Sequence, residues 1–197
     1  MQSSVEFFEN QFSKQVLQKQ QLLNPFESLT LPYLAGEVLD FGCGLGNLSV
    51  AAAEAGCHVL ALDGSPTAIA HLRELAGERG LPITAIEADL GSYRIEACFD
   101  TVVSIGLLMF FDRKTALAQL AQMQSSVRPG GILSVNVLIE GTTFLDMFDP
   151  ASYYLFGADE LKESMAEWEI IVASFHDFEA PRATVKRFST VIARRKV

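Results

Sequence analysis

A chain of 197 residues with 49% hydrophobic side chains is long enough to bury one sizeable core and too apolar to stay disordered. Its 15 basic and 24 acidic side chains leave a formal charge of −9, which argues against a nucleic-acid backbone as partner, because such binders carry a basic stripe. Cys43, Cys57 and Cys98 are odd in number and lack paired spacing, which argues against a disulfide framework and a zinc site, so no metal is expected.

In chain order, Val5, Phe8, Phe12 and Val16 recur at helical spacing and predict an amphipathic helix within an N-terminal cap or lid over residues 1–30. This start is polar and mixed, without a signal-peptide core, and no apolar run reaches the ~18 residues of a membrane span. Glu37–Phe41 reads as a short apolar strand, 42–46 as a glycine loop and 47–55 as an alanine-rich helix. Residues 57–63 form a second buried strand ended by an acid. Ser65-Pro66 then reads as N-cap and first helical residue, with Ile69, Leu72 and Leu75 on one face. Residues 82–87 and Phe99–Ile105 are the third and fourth strands. Asp112 caps a helix whose apolar positions are Ala116, Leu120, Met123 and Val127. Arg128-Pro129-Gly130-Gly131 reads as a stop and turn before a fifth strand over 131–139.

Continuous rather than alternating apolar strands, separated by helices, indicate a doubly wound α/β fold with a parallel sheet covered on both faces. The chain's end differs. Residues 168–178 and 183–193 are both β-rich, with only 179–182 between them, which predicts an antiparallel hairpin. With no linker in view, residues 1–197 are expected to form one domain, a cytoplasmic monomer or homodimer without membrane or nucleic-acid partners.

The sharpest motif is Asp40-Phe41-Gly42-Cys43-Gly44-Leu45-Gly46-Asn47. A strand running into closely spaced glycines lets a ligand approach the backbone at the carboxyl end of a sheet. By itself the loop is ambiguous between a dinucleotide and S-adenosylmethionine (SAM). The third glycine is Gly46 and position 47 is Asn, which departs from G-x-G-x-x-G, and Asp40 would not help a pyrophosphate. SAM lacks phosphates and carries an ammonium and a sulfonium, so nearby carboxylates favour it. Asp40 is expected to hold the methionine amino group directly or through water, and Asp63, followed by Gly64, the two ribose hydroxyls. Asp89 could meet the adenine amino group, with Leu90 against the ring.

Asp40-x-Gly42-x-Gly44-x-Gly46, the acids at 63 and 89, and Arg128-Pro129-Gly130-Gly131 together resemble class I SAM-dependent methyltransferases over about residues 30 to 140. The resemblance implies a seven-stranded, mostly parallel Rossmann-like sheet whose last strand is antiparallel. It also implies SAM as methyl donor and S-adenosylhomocysteine (SAH) as product. Leu108-Met109-Phe110-Phe111 with Lys114-Thr115, Met123 ahead of Arg128, Glu160-Leu161 before Trp168, and Arg187-Phe188-Ser189-Thr190 with Ala193-Arg194 are similar to the tellurite-resistance (TehB-like) methyltransferases. That closer likeness implies a small chalcogen oxyanion, tellurite or selenite, or a reduced form, as acceptor. The family's His-Arg pair and longer last hairpin have no secure counterpart here, His176-Asp177 being the candidate.

Methyl transfer from an activated sulfonium needs mainly proximity, orientation and desolvation. A small-molecule acceptor is expected beside Ser104, Met109, Phe110 and Phe111, under a lid over 144–154. Arg187, Arg182 and His176 are the cationic candidates for catalysis, whereas His58 and His71 fall in a strand and a helix. A non-catalytic SAM- or nucleotide-binding module and an NAD-dependent dehydrogenase are the rival readings.

Overall fold

The computed structural model describes Glu9, Phe12 and residues 22–197. Seven strands form one sheet: β1 Glu37–Phe41, β2 His58–Asp63, β3 Ile83–Glu87, β4 Phe99–Ile105, β5 Val127–Leu138, β6 Glu169–Ala180 and β7 Thr184–Arg194. Their spatial order is β3-β2-β1-β4-β5-β7-β6. β1 to β5 run parallel, and β7 lies antiparallel between β5 and β6. The order reverses at β1 and β4, which is where a doubly wound sheet opens a crevice at its carboxyl ends.

The helices are α1 Pro25–Thr30, α2 Asn47–Glu54, α3 Pro66–Arg79, α4 Arg113–Ser126 and the single turn α5 Glu160–Glu163. Local chemistry starts them. Asn24 Oδ1 accepts from the N–H groups of Phe26 and Glu27, while Glu27 accepts from Asn24 N, a reciprocal capping box. Ser65 caps α3 at Ala68 N, and Asp112 caps α4 at Thr115 N. Successive residues of β1 serve opposite faces: Val38 packs with Val50, Ala52, Ile69 and Leu72 of α2 and α3, and Leu39 with Leu120 and Met123 of α4.

Two expectations need adjustment. β5 begins at Val127, not after the Arg-Pro-Gly-Gly turn. Phe99 faces Val127 but Thr101 faces Ile132, so residues 128–131 bulge out of a strand that continues on both sides. Pro129 has no N–H for the ladder and Gly130 takes φ +79°, which together produce a bulge where a turn was expected. The terminal hairpin pairs Glu169 to Ala180 with Arg194 to Thr184; its first strand runs two residues past the expected end and its second begins one residue later than expected, with Pro181–Ala183 as a short 3-10 turn between them. Phe12 is helical, whereas Val5, Phe8 and Val16 of the expected N-terminal helix lie outside the described residues. No helix among the described residues is long and apolar enough to cross a membrane.

Candidate functional site

At the end of β1 the chain turns back on β2: the N–H groups of Gly42 and Cys43 both donate to Leu62 O, at 2.8 and 3.0 Å. Gly42, Gly44 and Gly46 have φ of +89°, +53° and +75°, a left-handed run that side chains resist. Asp63, at the tip of β2, ties this loop to the start of α3. Its Oδ2 accepts from Gly44 N at 2.8 Å and its Oδ1 from Ser65 N at 2.9 Å. Burial raises the Asp63 carboxyl above the usual range, although the N–H groups of Ser65, Gly44 and Gly64 hold it down and the charge of Glu9 adds to the rise. Each carboxylate oxygen still has a lone pair to offer.

The crevice above these groups is a cavity of about 580 Å³. One end is walled by Gly42, Cys43, Gly44, Asp63, Gly64, Ser65 and Leu90, and the middle by Ile105, Gly106 and Leu107. The other end is walled by Phe26, Met109, Phe110, Asn136, Phe144, Met147, Phe178, Glu179, Lys186 and Phe188, with Phe12, Asn24 and Pro25 also on the wall. Glu9 accepts hydrogen bonds from the hydroxyls of Ser65 and Thr67 at the start of α3.

The expected binding residues divide into wall and support. Gly42, Cys43, Gly44, Asp63, Gly64 and Leu90 line the cavity. Asp40 does not: it is 5% exposed, and its Oδ2 accepts from Ser49 Oγ at 2.6 Å. Burial pushes its carboxyl up to about 7, the Ser49 bond opposing and the charges of Glu27 and Asp63 adding. Gly46 also stands back, since a Cβ there would lie 2.5 Å from Leu72; its glycine serves the packing of α3 against the loop. Asn47 begins α2 and donates to Leu22 O. Asp89 is exposed and accepts from Gly91 N and Ser92 Oγ, while its neighbour Leu90 reaches the wall. Ser104 is fully buried behind Ile105, its hydroxyl without a hydrogen-bond partner among the described residues. Burial pushes the Cys43 thiol well above its usual value, so this wall residue offers backbone and bulk, not a thiolate.

The cationic candidates fall elsewhere. Arg182 pairs with Asp146, and Arg187 with Asp177 at 3.1 Å, and neither lines the cavity. His176 packs its ring edge-on against Phe26 at 5.9 Å, also off the wall. The wall cation is Lys186, whose Nζ sits 4.6 Å from the Phe144 ring centroid. Burial lowers its ammonium below the usual lysine value. Strand alternation carries the reason: Lys186 and Phe188 share one face of β7 and Arg187 takes the other. That period is visible in the sequence, but which face meets the cavity depends on the hairpin's register. Asn136 was also missed. It is 1% exposed on the cavity wall, its Nδ2 donates to Thr190 Oγ1 and its Oδ1 has no partner among the described residues. A lone amide inside the apolar run of β5 is the signal that marked it. Of the residues expected in the acceptor wall, Met109 and Phe110 line the cavity and Phe111 packs into the α4 side of the core, while Phe144 and Met147 from the expected lid also line the cavity.

Comparison with known proteins fits this geometry. Residues 38–131 match the model of a methyltransferase domain. The probable SAM-dependent methyltransferase TehB of Haemophilus influenzae is 28% identical over 167 residues, covering 81% of this chain and 57% of that protein. Hemagglutinin 1 of Eikenella corrodens is 27% identical over 172 residues, covering 81% and 54%. The chain therefore spans little more than half the length of these curated relatives. In fold, it resembles the crystal structure of H. influenzae TehB with a TM-score of 0.77 at 23% identity, covering 96% of this chain and 67% of that one. The DhpI–SAH complex shares the fold with a TM-score of 0.64 at 20% identity, covering 99% and 96%.

Proposed function

We propose that the chain is a class I, SAM-dependent methyltransferase of the TehB-like kind, whose cavity seats the donor at the glycine-loop end and methylates a small-molecule acceptor at the aromatic end. The observation that carries this reading is the continuity of the two compartments: Asp63 and Gly44 at one end share a single cavity with Phe110, Phe144 and Lys186 at the other. A binding module without catalysis would have no use for the second compartment.

The residues present fit the donor. Gly44 offers backbone where a Cβ would come within 3.3 Å of Phe12, and Asp63 offers buried carboxylate lone pairs for the two ribose hydroxyls. Leu90 supplies an apolar surface for the base, and Gly106 brings the β4 backbone to the middle of the cavity. Asp40 supports the loop from beneath, and its charge would favour the methionine ammonium at short range. When bound, the sulfonium supplies an already activated methyl group. The protein's own work is then to orient the acceptor and keep water out, which Met109, Phe110, Phe144, Met147 and Phe178 do with apolar surface.

For the acceptor, the resemblance to TehB supports a chalcogen oxyanion, selenite or tellurite, or a reduced form of it. Calorimetry should show SAM and SAH binding with NAD silent, and SAM should be converted to SAH in the presence of a competent acceptor. Purified protein with SAM, a thiol reductant and selenite or tellurite should release volatile methylated product into the headspace. Methylation of another small molecule with no methylated chalcogen would remove the oxyanion and leave the methyltransferase. NAD binding in place of SAM would overturn both.

A further inference from the structure

The terminal hairpin carries several cations, and their partners separate one from the rest. Arg182, Arg187 and Arg194 each have a carboxylate: Asp146, Asp177 and Glu169. Lys186 has none among the described residues, and it alone of the hairpin's cations lines the cavity. Its half-buried ammonium rests on the Phe144 ring, with Phe178 as its partner across the hairpin. Glu179, the carboxylate on this part of the wall, is exposed and belongs to the next register pair, opposite Val185.

An ammonium drawn from water into aromatic surroundings, with only a ring face as counter-charge, is held at a cost that an anion would relieve. Its lowered pKa has the same cause. A protein with a formal charge of −9 repels small anions at long range, so an anionic acceptor needs a local cation to be retained. The arginines are already neutralised and stand off the wall.

We propose that Lys186 is the specificity-determining residue of the acceptor compartment, selecting acceptors that carry an anionic group. This deepens, and rests on, the reading of the cavity as a methyl-transfer site. The chemistry fits two sources: an inorganic oxyanion, or a carboxylate on an apolar body that lies against Phe144, Phe178 and Phe188.

Calorimetric titration of selenite and, separately, benzoate into the SAH-saturated protein tests it, using wild type, Lys186→Met and Lys186→Arg. Methionine keeps the apolar stem and removes the charge. Wild type should bind at least one anion, Lys186→Met should bind it about tenfold or more weakly, and Lys186→Arg should stay within about threefold, with SAH affinity equal in all three. Binding of selenite alone assigns an inorganic acceptor, and of benzoate alone an organic one. Equal anion affinity in Lys186→Met, or no binding of either anion to wild type, overturns the inference. The same titrations without SAH keep the two questions apart: failure to bind SAH would remove the methyl-transfer reading, while the anion arms would still decide the role of Lys186.

Discussion

Between Gly42 and Leu90 the cavity is walled by glycines, Asp63 and the small side chains of Cys43 and Ser65 with Leu90, whereas from Phe110 to Phe188 it is walled largely by aromatic and other large side chains. The first region is built by short-range geometry. Loop residues 42–44 donate three backbone N–H bonds to Leu62 and Asp63, and Gly46 N closes the loop on Cys43 O. The second is assembled from distant segments. Phe26 of α1 touches His176, Phe178 and Phe188, Thr30 bonds Ser134, and Asn136 bonds Thr190. A wall of the first kind is fixed by backbone geometry and its positive-φ glycines. A wall of the second kind depends on side chains that can be exchanged without disturbing the first.

The strongest way to break this comparison is Phe26→Ala. Phe26 is 8% exposed and joins α1 to the hairpin, so its loss should cost about 3–5 kcal/mol and lower Tm by roughly 10 °C. Thermal unfolding measures that, and calorimetry should find SAH affinity within about twofold of wild type. A parallel collapse of SAH binding would mean that the two regions are one cooperative unit. Next in size, Asp63→Ala should weaken SAM binding by ~2–3 kcal/mol through the lost charge-assisted hydrogen bonds. Anion binding at the other end should persist. Unchanged SAM affinity would take Asp63 out of the site.

Asp40→Asn sharpens the donor side through pH. The folded pKa of about 7 lies above the unfolded value, so the folded state keeps its proton longer. Stability from this group is full below about pH 4 and is lost as pH rises towards 7. Asparagine still accepts from Ser49 and never ionises. The variant should therefore unfold at a higher temperature than wild type at pH 8, with the gap closing near pH 4. A bound cation nearby would pull the wild-type value back down. A fall of about tenfold in SAM affinity in the variant would support Asp40 as the ammonium's counter-charge. Unchanged affinity would leave it as scaffold. The smallest effect is expected of Arg187→Ala. Its exposed pair with Asp177 is worth no more than about 1 kcal/mol, and acceptor kinetics should barely move. A rise in acceptor KM as large as that in Lys186→Met would transfer the acceptor's cation to Arg187.

The glycine-loop half of the cavity was legible because its signals are local. A strand, three glycines and an acid at the next strand's tip lie within residues 37–63, and each dictates conformation on its own account. Glu37–Phe41 and Phe99–Ile105 fall where the apolar runs begin and end, and Ser65 and Asp112 cap the helices they were expected to cap. Even here, residue type did not say which acids face the cavity: Asp40 turns inward to Ser49, and Asp89 to its own loop. The bulge at residues 128–131 shows the same gap, since Pro and Gly announce a break in pairing but not whether the strand resumes beyond it.

By itself, the sequence determined the doubly wound sheet, the glycine loop with Asp63 beside it, and the antiparallel hairpin, because hydrophobic period, capping chemistry and positive-φ glycines act within a few residues. Only the tertiary structure decided that Lys186 faces the cavity while Arg187 pairs with Asp177, and that Asn136 lies on the wall. Side chains on a strand alternate with a period of two, so a single step of register exchanges the inner set for the outer. That register is set by contacts between β5, β7, β6 and α1, segments that no local rule connects.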